Sequence, residues 1–112
     1  MDGAPNLYEK VRFESPAPVS DGYGGPVDGW TEEFTLRAAF RWLRGGETVQ
    51  QARLLGRSVL VITIRRSTDS LTITPEWRAV DARTEAIFNV RSILPTLDRA
   101  FLEITCETGV QP

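Results

Sequence analysis

Between Phe34 and Trp42 the chain reads FTLRAAFRW, with Phe34, Leu36, Ala38, Phe40 and Trp42 at every second position and Thr35, Arg37, Ala39 and Arg41 between them. A period of two puts one set on each face of an extended strand and does not fit a helix. Residues 10–14, KVRFE, alternate in the same way, which sends Val11 and Phe13 inward and Lys10, Arg12 and Glu14 outward. In SVLVITIRR, Leu60, Ile62 and Ile64 oppose Val59, Val61 and Thr63, so this strand is covered on both faces and belongs in the middle of a sheet. LTIT, WRAVDA, AIFNVRSI and FLEITCE are further short β-prone segments, divided by Pro75, by Arg83 to Glu85 and by Pro95 to Arg99. Leu102, Ile104 and Cys106 form the inward face of the last. Alternation breaks once, in GGETVQQARLLG, where Val49, Ala52 and Leu55 recur at helical spacing between Gly46 and a stop at Gly56.

Many short strands with a single brief helix predict an all-β domain, a small barrel or sandwich, in place of any α/β layering. A chain of 112 residues fits one such domain over residues 1–112. Residues 15–29 show no periodicity. They carry Pro16, Pro18 and Pro26 alongside Gly22, Gly24, Gly25 and Gly29, and are expected to form a long protruding Gly/Pro-rich loop. Within it, SDGYGGPVDGW sets Tyr23 and Trp30 among residues that resist ordering, so an external contact is needed to order them.

Charge and chemistry narrow the function by exclusion. Thirteen basic and fifteen acidic residues give a formal net charge of -2, which argues against a polyanion-binding block. All the basic residues but Lys10 are arginine, the side chain suited to fixed, bidentate contacts with protein. The absence of histidine removes the commonest general base and the commonest transition-metal ligand. Gly22 and Gly24 begin a dinucleotide fingerprint that Val27 breaks, and no lysine follows to make a phosphate loop. Asp21 and Asp28 lack the alternating oxygen ligands of a calcium loop. No catalytic residue, cofactor or metal site is expected. Cys106, the lone cysteine, sits in an apolar string and reads as a packing residue. The first ten residues lack a basic start, and the longest apolar run, VLVITI, is too short to span a bilayer, so no membrane partner is expected.

The order of the pieces resembles the phage head-tail joining family, the small head-closure or stopper proteins of tailed phages and phage-like gene transfer agents. The likeness runs from about Tyr8 to Glu107. It rests on VRFES, then DGYGG and Trp30 opening a long strand, then GGETVQQA, VLVITIRRS, TPEWRAVD, IFNVRSI and RAFLEITCE in that order. It implies a barrel of about six strands that assembles as a six- or twelve-fold ring in the particle neck. An adaptor or portal ring would lie above, a tail terminator or tail tube below, and double-stranded DNA would pass through the channel. The protein would be made in the bacterial cytoplasm. Asp21, Gly22, Tyr23, Gly24, Gly25 and Trp30 are then the candidate channel and assembly loop. Glu32, Glu33, Arg37, Arg41, Arg65 and Arg66 are the candidate subunit contacts. At Arg66 and Ser67 the chain departs from relatives that carry an aromatic after the IR of the central strand. The competing readings are a tail-terminator-type neck protein and a small nucleic-acid-binding barrel.

Overall fold

A computed structural model describes residues 7–20 and 26–108. Six strands account for most of it: β1 Glu9–Ser20, β2 Pro26–Trp42, β3 Val59–Arg65, β4 Arg78–Asp81, β5 Ile87–Pro95 and β6 Phe101–Glu107. One helix, α1 Glu47–Leu54, joins β2 to β3, and a single 3-10 turn, Ser70–Thr72, lies between β3 and β4. The strands are ordered β1-β2-β3-β6-β5-β4, all neighbours antiparallel, and β4 returns to β1 to close the sheet. The closing seam is short: Val11 to Glu14 face Asp81 to Arg78 over four residue pairs.

The expected architecture, a small six-stranded barrel with a long loop over residues 15–29, is corrected. The strands meet in a closed set only over a short central stretch, and most of the expected loop is strand. β1 and β2 remain paired out to Ser20 and Pro26, beyond the last residues of either that meet β4 or β3. The six pairs from Ser15↔Thr31 to Ser20↔Pro26 make a two-stranded ribbon about 20 Å long at roughly 3.3 Å per residue. Proline normally argues against a strand because it cannot donate to the ladder. Here Pro16, Pro18 and Pro26 all fall in one alternating set of pairs, with Trp30, Asp28 and Ser20 opposite. The Ala82 N–H donates to Lys10 O, so the even-numbered residues of β1 turn their backbone groups away from β2. Pro16 and Pro18 share that parity and Pro26 lies opposite Ser20, so the missing donors face outward.

The core follows the alternation. Val11, Phe13, Ala38, Leu60, Ile62, Ile64, Leu102, Ile104 and Cys106 are buried in one cluster, with Phe34, Leu36 and Phe40 packed against it. Burial pushes the Cys106 thiol up to about 12, as a packing role requires. β3 is buried on both faces because α1 covers its outer side, where Val49 and Ala52 close over Val59. The helix ends as its sequence indicates: Gly56 takes φ +76°, its N–H donates to Arg53 O, and the Arg57 N–H donates to Ala52 O.

Three expectations fail locally. Leu55 is exposed instead of sharing the helix's buried face. Trp42 is 48% exposed, because the strand reaches the end of the sheet there and the indole is left edge-on to Phe88, centroids 6.0 Å apart. LTIT forms no strand. Ser67 and Ser70 bind each other's backbone N–H through their hydroxyls, and this local bonding curls the chain into the 3-10 turn.

Ile62, fully buried at the centre of β3, provides the test of this core. Ile62→Ala is expected to destabilise the fold by about 2–5 kcal/mol through lost burial and a residual cavity. Leu54→Ala, at a side chain 87% exposed, is expected to change stability by less than about 0.5 kcal/mol. Urea denaturation of both variants measures the contrast.

Candidate functional site

The ribbon leaves the sheet where β1 meets β4, and the junction is built around a carboxylate. A β-bulge on β2 leaves Glu33 without a partner between Phe13↔Phe34 and Glu14↔Glu32, while β1 keeps its alternation and Glu14 shares the outer face with Arg12. Glu14 is buried there all the same, because arginine side chains close over it. Its Oε1 accepts from Arg78 Nε at 2.6 Å and its Oε2 from Arg12 Nε at 2.8 Å, so one carboxylate ties β1 to β4. Arg12 continues outward to Glu85 in the β4–β5 turn at 2.9 Å. The Arg78 guanidinium also lies over the Trp30 ring, 4.5 Å from its centroid, which brings the first residues of the ribbon into the same cluster.

Burial alone would push the Glu14 carboxyl up, but the hydrogen bonds from Arg12 and Arg78 outweigh it and hold the group below the usual carboxylate range. Arg12, bonded to Glu85 and to Glu14, is held more firmly protonated than a free guanidinium. Beneath the junction, Phe13, Phe34 and Trp77 form a chain of tilted rings at centroid spacings of 5.9 and 5.8 Å. The ribbon therefore springs from a base that is packed below and charge-paired at the side.

The body has two unlike ends. At the ribbon end, the segment after β3 and the β5–β6 hairpin flank a cavity of about 360 Å³ with Ile73, Ile93 and Leu102 in its walls and Arg66 and Arg99 beside them. At the far end, a wider hollow of about 740 Å³ lies between Phe40, Trp42, Ile87 and Phe88, bordered by Glu9, Asp81 and Arg83. Phe40 and Phe88 meet edge to face at 5.7 Å there.

The residues singled out in the sequence are not gathered in one place. Asp21, Gly22, Tyr23, Gly24 and Gly25 lie outside the described residues. Trp30 is half-buried at the ribbon base. Glu32 and Glu33 are exposed beside it, Glu33 accepting from the Ser15 hydroxyl. Arg37 and Arg41 are exposed on β2, opposite Lys10 and Val61. Arg65 stacks its guanidinium 5.4 Å from the Phe101 ring centroid, and Arg66 lines the ribbon-end cavity. Sequence reasoning missed Glu14, Arg78 and Arg99. Glu14 was expected to face solvent, and Arg78 gave no local signal because its carboxylate partner is 64 residues away.

A family model described as phage head completion protein matches residues 3–109. Two solved structures share the fold. The solution structure of a Shigella flexneri 2a protein is 21% identical, with a TM-score of 0.67 over 95% of this chain and 96% of that one. A chain from the virion of a native gene transfer agent particle is 20% identical, with a TM-score of 0.63 over 96% of this chain and 98% of that one. No curated protein matches.

Glu14→Ala takes the carboxylate from Arg78 and leaves Arg12 held by Glu85 alone, and is expected to cost on the order of 3 kcal/mol. Because the native carboxyl lies below its unfolded value, its contribution is present above the unfolded pKa of about 4.3 and is lost as pH falls through the lower native value. Glu14→Gln is therefore expected to flatten the acid limb of the stability profile on the acid side of the unfolded carboxyl value. Denaturation midpoints across that range, wild type against variant, measure it.

Proposed function

Because the chain belongs to the phage head completion protein family, a structural and non-catalytic component of the neck of phages and phage-like particles, we propose that it is the head-closure or stopper subunit. In this reading several copies form a ring between the portal-proximal adaptor and the tail, hold packaged double-stranded DNA in the head, and offer the surface on which the tail seats. The observation that carries it is the family match over nearly the whole chain, 3–109. The two unlike ends of the body support it, since a subunit between two different rings needs two different docking surfaces.

The ribbon suits the same role. It projects about 20 Å from a charge-paired base, and the five residues joining its strands, DGYGG, are small apart from Asp21 and Tyr23. Glycine permits close approach of backbones, which is needed where several copies of one segment converge on an axis. The net charge of -2 is also suitable. A wall that neutralised many phosphates would gain counterion-release free energy with each one and so hold the DNA it must let pass.

Removing the protein from an assembling particle is expected to yield heads without tails that have lost their DNA. Tyr23→Ala is expected to leave the fold and its denaturation midpoint unchanged while lowering DNA-retaining particles at least tenfold. A cryo-electron map of the neck, with nuclease protection of the packaged DNA, checks both. Unaltered particles would overturn the assignment of the ribbon tip, and a neck lacking this chain would overturn the stopper reading.

A further inference from the structure

The ribbon-end cavity is a groove with a sign. Its walls are Ile73, Ile93 and Leu102, Arg66 and Arg99 stand at its edge, and among the described residues no acid lines it. Neither arginine has an ion-pair partner among the described residues. Leu71, in the lining, adds exposed apolar surface at 56% exposure. The groove is also held in shape. The Arg66 N–H donates to Ala100 O at 3.0 Å, tying the segment after β3 to the hairpin. Asp98, the acid nearest Arg99 in sequence, is turned into that hairpin, where its Oδ1 accepts from Thr96 Oγ1 at 2.6 Å and from the Ala100 N–H at 3.0 Å.

The opposite sign is concentrated elsewhere on the same chain. Residues 15–36 contain Asp21, Asp28, Glu32 and Glu33 and no lysine or arginine. These are four of the fifteen acids, so the remainder of the chain has eleven acids against thirteen bases. Glu32 and Glu33 are exposed at the ribbon base.

Topology fixes how the two surfaces are related. In the cyclic order β1-β2-β3-β6-β5-β4, the β1/β2 pair lies directly across the sheet from the β5/β6 pair. Both surfaces are also at the same end, because Ile64 pairs with Ala38 and Arg65 with Phe101, which places the end of β3 and the β5–β6 hairpin toward the side from which the ribbon leaves. An acidic surface and an arginine-edged apolar groove thus sit at one height on opposite flanks.

We propose that the groove takes the ribbon base of a second copy of this chain, Glu32 and Glu33 of one subunit meeting Arg66 and Arg99 of the next. The inference rests on the ring proposed above and names its subunit contact. The contact joins two different surfaces, so every subunit keeps one free acidic flank and one free groove until the chain of copies closes. Exposed ion pairs are individually weak, and the apolar walls supply the area that the charges orient.

Cross-linking tests it. A chain carrying Glu33→Cys and Arg66→Cys, oxidised mildly as concentrated protein and in assembled particles, is expected to give a ladder of dimers, trimers and higher species on a non-reducing gel. Either substitution alone is expected to stop at dimers, because the native Cys106 is buried with its thiol pushed up to about 12 and does not compete. No ladder from particles whose neck contains the chain overturns the contact and leaves the stopper reading standing. A double variant that stops at dimers also overturns it, since a two-fold contact would pair both cysteines within one dimer. Absence of the chain from the neck overturns the stopper reading instead. As a second route, Glu32→Arg with Glu33→Arg is expected to cut incorporation into particles at least tenfold, and adding Arg66→Glu with Arg99→Glu is expected to restore it. A fourfold variant no better than the doubles overturns the charge pairing.

Discussion

The bond between Arg78 and Glu14 is where the fold and its projecting part are joined. The β4–β1 seam that closes the sheet is only four pairs long, and β4 itself meets β5 over three. So short a strand contributes little ladder. The Glu14 carboxylate compensates by gathering Arg12 and Arg78 from the two sides of the seam, and Arg78 in turn lies over Trp30. Remove that charge and Arg78 loses its carboxylate at the point where the ribbon must be held. A buried ion pair is weak evidence of stability in general, since desolvation offsets much of the attraction. Its value here lies in direction: the carboxylate accepts from two arginines at once, which fixes where β4 sits relative to the ribbon base.

The same junction shows how an outward carboxylate comes to be buried. Strict alternation along β1 turns Glu14 to the outer face, as the sequence KVRFE suggests. There Arg12 on the same strand and Arg78 opposite it close over the carboxylate, while Phe13 stays in the core against Phe34. The bulge lies on β2, where Glu33 has no partner in the register and its carboxylate accepts from the Ser15 hydroxyl. The apolar and polar demands of adjacent residues are thereby met on opposite faces of one strand.

What could be read from the sequence, and what could not, divides along the range of the interactions. The strand faces of β2, β3 and β6 and the stop of α1 at Gly56 were legible because period two and a left-handed glycine are local signals. The ribbon was not. Prolines at 16, 18 and 26 depress strand propensity wherever they occur, and only the register shows that all three fall on pairs that need no donor. Glu14, Arg78 and Arg99 were missed for a related reason. The partners of Arg12 and Arg78 lie 73 and 64 residues away. Arg99 sits in a hairpin at φ 59°, held by the Thr96 and Asp98 side chains, and nothing in its immediate sequence signals a groove.

The prolines also bear on how such a ribbon can take part in an assembly. A two-stranded ribbon has two open edges, and open edges invite uncontrolled strand addition. The outward positions on both of its strands include residues with no N–H to offer, Pro16 and Pro18 on β1 and Pro26 on β2. Backbone pairing along these edges is therefore interrupted, and recognition is left to side chains. At the ribbon base those side chains are Glu32 and Glu33, with no basic residue within the segment to neutralise them. A ribbon that cannot recruit a neighbour by its backbone, but carries a single sign of charge where it meets the body, selects its partner by complementarity. Among the described residues, the groove edged by Arg66 and Arg99 offers the opposite sign with apolar side chains beside it.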